Sequence, residues 1–104
     1  MNKVKQLNNK TFDAYIAEGV AVIDFWAPWC GPCRAIAPMF EQTASNLQNV
    51  KFGKINTDEE NSLATKYGVN SIPNICIFKE GKLVDRSVGF VPQSNLEELI
   101  KKYI

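Results

Sequence analysis

The stretch that most restricts the fold is Val20-Ala21-Val22-Ile23-Asp24-Phe25, apolar at every position but Asp24 and rich in β-branched side chains. A strand with one wet face alternates apolar and polar residues. A nearly continuous apolar run instead predicts a strand covered on both faces, hence a central, parallel one. Directly after it come Trp29-Cys30-Gly31-Pro32-Cys33, and then a helical pattern. A strand that ends in a tight Gly-Pro turn and opens a helix puts Cys30 at the helix N-terminus. There the unpaired backbone N–H groups and the macrodipole favour a thiolate over a thiol. Pro32 suits the first helical turn, where its missing N–H is not needed and its φ is preset. A thiolate attacks a disulfide sulfur, and a second thiol two residues on can displace the product. The pair reads as a redox device.

Two blander readings of the cysteines compete with this one. As a structural staple the pair is weak, because a four-residue loop gives roughly 2 kcal/mol by chain entropy against ~3 for fifteen residues. As zinc ligands they lack company, since the chain has three cysteines and no histidine, while structural zinc takes four such ligands.

The 104 residues are expected to form one domain, 1–104, long enough for a real core and too short for a second. A net charge of +1 gives no electrostatic footprint for nucleic acid and no polybasic membrane anchor. Met1 to Lys10 is polar, so no signal peptide is expected, and no apolar run approaches the ~20 residues of a membrane span. An odd number of cysteines without an export signal points to a reducing, cytoplasmic setting.

Taken in order, the chain reads as β-α-β-α-β-α-β-β-α. Val4 to Leu7 is the first strand candidate (β1). Asn9 to Gly19 predicts a helix with Phe12 and Ile16 on one face, Asn9 or Thr11 as cap and Gly19 at C′. Val20 to Phe25 is β2. Ile36, Phe40, Ala44 and Leu47 then mark a long amphipathic helix, kinked rather than broken at Pro38. Val50 to Asn56 predicts β3, weakened by Gly53, and Asp58 to Tyr67 a short helix with an acidic first turn, stopped by Gly68. Ile75 to Phe78 (β4) and Leu83 to Val88 (β5) flank Lys79-Glu80-Gly81-Lys82, a hairpin signature. The last helix carries Leu96, Leu99, Ile100 and Tyr103 on one face. Either Ser94 with Glu97 caps it, or Pro92 is its first residue. An α/β layered sandwich follows, with early strands parallel and the last two antiparallel.

Phe25-Trp26-Ala27-Pro28-Trp29-Cys30-Gly31-Pro32-Cys33 strongly resembles the active-site signature of the thioredoxin family. The resemblance spans the chain: Asp24 precedes the motif, Pro38 sits in the helix, Lys54 in the third strand, Ile72-Pro73 before the fourth, and Gly81 and Gly89 near the end. It implies the thioredoxin fold, a three-layer sandwich with a central five-stranded mixed sheet of order β1-β3-β2-β4-β5 flanked by four helices. It implies an exposed nucleophile at Cys30 and a buried resolving thiol at Cys33. The Gly-Pro between them matches the reducing branch of the family, where isomerase-like and oxidase-like relatives carry a His.

Asp24 has two readings, a solvated or capping carboxylate at a strand end, or a buried one whose pKa is raised and which accepts the proton of Cys33. Lys54 resembles the family's partner lysine for that group, and otherwise is a solvated strand lysine. Pro73 resembles the family's cis-proline, which would present the Ile72 backbone to an extended substrate segment. The implied docking surface is Trp29, Gly31, Pro32, Ile72, Pro73 and Gly89, with Phe90 as an addition, while Trp26 reads as a packing residue. Three positions depart from many relatives: Asn74 stands where Thr is common, Arg34 replaces Lys, and Cys76 is an extra thiol, read as a small buried hydrophobe or else a regulatory thiol.

The functional expectation is a protein-disulfide reductase, a dithiol–disulfide electron carrier acting through a mixed disulfide. It would need no cofactor, with NADPH serving only indirectly through thioredoxin reductase as partner. Substrates would be protein disulfides of the ribonucleotide reductase, peroxiredoxin or methionine sulfoxide reductase type, and the chain a monomer. The competing readings are a binding or assembly subunit whose redox state is incidental, and a disulfide isomerase.

Overall fold

Strand β2 (Val20–Trp26) runs through the middle of the sheet, as its nearly continuous apolar run predicts. The structure is a computed structural model that describes residues 3–104. Met1 and Asn2, which begin the polar N-terminal stretch, lie outside the described residues. The other strands are β1 (Val4–Gln6), β3 (Lys51–Asn56), β4 (Asn74–Lys79) and β5 (Lys82–Val88), in the order β1-β3-β2-β4-β5. β3 is parallel to both β1 and β2, whereas β4 is antiparallel to β2 and β5 is antiparallel to β4. The central strand therefore has a parallel neighbour on one side and an antiparallel one on the other.

Four helices cover the two faces: α1 (Phe12–Ile16), α2 (Gly31–Asn46), α3 (Asn61–Lys66) and α4 (Gln93–Lys101). Because side chains alternate along a strand, β2 splits between two cores. Val22 joins Ile36, Phe40, Phe52, Ile75, Ile77, Leu96 and Ile100 under α2 and α4. Ala21, Ile23 and Phe25 join Phe12, Ile16, Ile55, Leu63, Cys76 and Phe78 under α1 and α3. Each fully buried Phe or Ile is worth ~1.5–3 kcal/mol of transfer free energy. Asp24 follows Val22 on the α2 face by the same alternation, which sets a carboxylate at the mouth of an apolar layer.

Helix α2 continues through Pro38, with Ile36 buried before it and Phe40 and Ala44 after it. Gly53 does more than weaken β3. A Cβ there would stand 2.6 Å from Leu7 Cδ1 and 3.2 Å from both Ile23 Cδ1 and the Lys5 carbonyl oxygen, so any side chain here must push its neighbours aside. The hairpin turns at Glu80 (φ 51°) and Gly81 (φ 83°), both left-handed, as a two-residue type I′ turn demands.

Three helix boundaries differ from expectation. Helix α1 is shorter than Asn9 to Gly19: Thr11 is its N-cap, one of the two expected, but makes no side-chain cap hydrogen bond, and Asn8 organises the turn before it. Asn8 Oδ1 accepts the Lys10 and Thr11 N–H groups at 2.8 and 3.1 Å, and its carbonyl takes the Phe12 N–H at 3.0 Å. The helix ends at Ala17, so Gly19 falls one residue past C′. Helix α3 begins at Asn61, not Asp58. Asn56 folds the acidic residues into a preceding turn, its Oδ1 accepting the Asp58 N–H (2.9 Å) and its carbonyl those of Glu59 (3.1 Å) and Glu60 (2.9 Å). Helix α4 is capped by Pro92, neither by a Ser94–Glu97 box nor with Pro92 inside it. The Glu97 carboxylate instead receives Gln93 Nε2–H (2.9 Å) and Asn46 Nδ2–H (3.0 Å), which ties α4 to α2. Among the described residues no helix is long and apolar enough to cross a membrane.

Candidate active site

The loop leaving β2 ends at Cys30, whose extended backbone (φ −88°, ψ 108°) makes it the N-cap of α2, with Pro32 in the first turn. Cys33 lies in that turn, and its N–H donates to Cys30 Sγ at 3.2 Å. This is the hydrogen bond that would stabilise negative charge on the Cys30 sulfur. The two cysteines are joined as a disulfide, Cα atoms 5.3 Å apart. Ala27, Trp26 and Ile72 pack around the pair. This shielding corrects one expectation: Cys30 is not exposed, keeping 5% of its surface against 2% for Cys33.

Asp24 is buried, and its Oδ1 has no hydrogen-bond partner among the described residues. Burial pushes its carboxyl from 3.8 up to about 7, against the opposing pull of the Lys54 ammonium. The strand-end reading of Asp24 is thereby excluded. Lys54 is its direct neighbour across the β2–β3 ladder, and its Nζ lies 5.6 Å from the centre of the Trp26 ring. Asp24, Trp26, Lys54, Cys33, Arg34 and Ala37 line one cavity of about 100 Å³. That is several times the space one water needs. Trp26 behaves as a packing residue, half-buried against the disulfide.

The docking residues expected from sequence come together around the disulfide. Trp29, Gly31 and Pro32 are exposed, Ile72 and Gly89 half-buried, and Pro73 buried. The Ile72–Pro73 bond is cis, and the Gly89 N–H donates to the Pro73 carbonyl at 2.8 Å, which fixes the start of the last loop beside the fourth strand. Phe90 is exposed directly after Gly89. Arg34 borders the cavity it shares with Cys33, and its Nη1–H donates to the Pro28 carbonyl at 2.8 Å.

Sequence reasoning missed Asp58. The Trp29 indole N–H donates to its carboxylate oxygens at 3.0 and 3.2 Å, so the exposed ring is held by its edge. The signal was available, since an exposed Trp keeps an N–H that favours a polar partner. Trp29 and Asp58 also border an open cavity of about 450 Å³ whose far side is Val69 to Ile72. Asn74 turns its amide inward rather than toward a substrate, and Cys76 is wholly buried, its thiol pushed up to about 11 by desolvation. Among the described residues no group of three or more His, Cys, Asp or Glu side chains is arranged to hold a metal ion.

The thioredoxin family model matches residues 3–102. The thioredoxin of Bacillus subtilis (strain 168) is 43% identical over 102 residues, which cover 97% of this chain and 98% of the relative. The M-type chloroplastic thioredoxin of Pisum sativum is also 43% identical, over 107 residues, and this chain spans 62% of its length. Among solved structures, a mutant thioredoxin from Halobacterium salinarum superposes with a TM-score of 0.92 at 32% identity, covering 97% of this chain and 90% of that one. With the cysteine pair at the head of α2 and matches of this extent, the chain belongs to the thioredoxin family and is a dithiol–disulfide oxidoreductase, a protein-disulfide reductase working through Cys30 and Cys33.

Proposed function

We propose that the chain is a cytoplasmic, monomeric electron carrier in which Cys30 is the nucleophile, Cys33 the resolving thiol and Asp24 the proton acceptor. The observation that carries this assignment is the shared cavity. Cys33 and Asp24 open into it together, while Cys30 caps the helix and receives the Cys33 N–H. The Cys30 thiolate attacks one sulfur of a substrate disulfide and forms a mixed disulfide, and the other substrate sulfur leaves as a thiolate that takes a proton from water. Asp24 takes the proton of Cys33. The Cys33 thiolate then attacks Cys30 Sγ, the second substrate sulfur leaves as a thiolate that takes a proton from water, and Cys30–Cys33 holds the two oxidising equivalents. Lys54 modulates Asp24 by favouring its ionised form. A carboxyl near 7 accepts and returns a proton at physiological pH, a task for which the chain has no histidine.

Trp29, Gly31, Pro32, Ile72, Pro73 and Gly89 serve as the apolar docking surface for an extended substrate segment. The disulfide is recharged by thioredoxin reductase, which draws on NADPH, so the chain carries no cofactor of its own. Its substrates are protein disulfides such as those of ribonucleotide reductase, peroxiredoxin and methionine sulfoxide reductase enzymes. Residues 1–104 act as a single domain.

Insulin-disulfide reduction, run with wild type and with Cys30→Ser/Cys33→Ser, tests the carrier role. Loss of all turnover in the double variant is expected. Partner binding that persists without turnover in either protein would favour an assembly subunit, and a strongly oxidising potential for the pair would favour an isomerase.

A further inference from the structure

The segment from Tyr67 to Pro73 brings Ile72 to the disulfide and forms one wall of the larger cavity. It belongs to no strand or helix, and among the described residues no backbone hydrogen bond reaches Asn70, Ser71 or Ile72. Backbone bonds hold only its ends, through the Tyr67, Gly68 and Val69 N–H groups and the Pro73 carbonyl, and side chains add the rest. At the far end, the Arg86 guanidinium donates to the Tyr67 and Gly68 carbonyls at 2.6 and 3.3 Å. At the near end, Asn74 Nδ2–H donates to the Ser71 carbonyl at 3.3 Å. The other half of that amide, Oδ1, accepts the Cys76 S–H at 3.4 Å, from two residues along the same face of β4.

The second bond orients the first. With its oxygen turned to the thiol, the Asn74 amide presents its NH₂ group to Ser71. Asn74 and Cys76 are both buried, so neither can exchange its partner for water, and a broken bond leaves a polar atom unsatisfied. Burial also keeps the proton on the Cys76 sulfur through the neutral range, so the thiol remains a donor.

We propose that Cys76 and Asn74 are positioning residues for substrate docking: the thiol orients the amide, and the amide pins Ser71 so that Ile72 stays seated against the Cys30–Cys33 pair. The inference rests on the docking role proposed for Ile72. It also assigns work to a thiol that the redox chemistry leaves unused, and links it to the Asn74 that stands where Thr is common.

Cys76→Val removes the donor at similar volume, Cys76→Ser retains one, and Asn74→Ala removes the amide without touching the thiol. KM and kcat for insulin reduction are measured separately, together with amide hydrogen exchange of residues 67–73. Cys76→Val and Asn74→Ala are expected to raise KM about fivefold, which is ~1 kcal/mol at 1.4 kcal/mol per factor of ten. Exchange at Val69, whose N–H is the bonded amide nearest Ser71 in this segment (2.8 Å to the Ala64 carbonyl), should quicken by a similar factor, kcat should change less than twofold, and Cys76→Ser should restore both readouts. Wild-type KM in Cys76→Val and Asn74→Ala, whether or not exchange quickens, would overturn the inference, as would a Cys76→Ser variant that behaves like Cys76→Val. Ile72→Ala separates the two levels. If it leaves KM alone, the docking reading fails; if it raises KM while Cys76→Val does not, only the positioning role fails.

Discussion

Replacing Asp24 by Asn removes a charge that the fold holds at a loss. The folded carboxyl titrates at about 7 and the unfolded one at 3.8. Below 3.8 both states hold the proton, and the buried acid is neutral without penalty. Between 3.8 and 7 the native state binds a proton that the unfolded state has lost, so stability falls as pH rises, by 1.36 kcal/mol per pH unit. Above about 7 the native carboxylate is ionised and the full penalty, about 4 kcal/mol, has accumulated. Asn74-type inward bonding is not open to an amide at this position, where Oδ1 already lacks a partner, so the new NH₂ group gives back ~1–2 kcal/mol. Asp24→Asn should therefore exceed wild type by about 2–3 kcal/mol at pH 8 and by nothing, or less than nothing, at pH 4. Guanidinium unfolding of both oxidised proteins at the two pH values gives the comparison, and insulin reduction gives the chemistry, which should slow at the resolving step. An equal gain at both pH values, or wild-type stability at pH 8 with full activity, would remove the raised carboxyl from the account.

Two further outcomes follow from burial. Cys76 should resist alkylation in the reduced native protein near neutral pH, since its thiol is desolvated and titrates at about 11. Cys30 should label first, Cys33 slowly and Cys76 only after denaturant, and rapid native labelling of Cys76 seen by mass spectrometry would make it a candidate regulatory thiol. Gly53→Ala should destabilise by ~1–3 kcal/mol, because its Cβ meets Leu7, Ile23 and the Lys5 carbonyl at once. A thermal midpoint equal to wild type would show that these neighbours give way freely.

The architecture was legible because its centre writes an unusual pattern. Val20 to Phe25 could be so apolar only if covered on both faces, and the cysteine motif placed directly after it fixed where the strand hands over to α2. Helix ends were less legible, because single polar side chains decided them. Asn8 and Asn56 capture N–H groups in the turns that precede α1 and α3, and a competition between a side chain and the backbone leaves no periodic trace. The burial of Cys30 depends on Ile72, more than forty residues away in sequence, and so could not be read locally. The cis bond before Pro73 was implied by the family resemblance alone. Asp24 was readable as an oddity, a carboxylate inside an apolar run, but the cavity that joins it to Cys33 exists only once α2 crosses the ladder between β2 and β3. Asn74 was legible only as a departure from the common Thr; it is bonded inward because the first residue of β4 faces the core under α3.

The division of labour between the two cysteines is tested most directly by trapping the intermediate. Reduced Cys33→Ser is mixed with an oxidised protein substrate, quenched with alkylating agent and resolved on a non-reducing gel, with mass spectrometry of the linked peptides. The account predicts a persistent adduct through Cys30 in Cys33→Ser and none in Cys30→Ser. Adducts through Cys33 in Cys30→Ser, with none in Cys33→Ser, would contradict it.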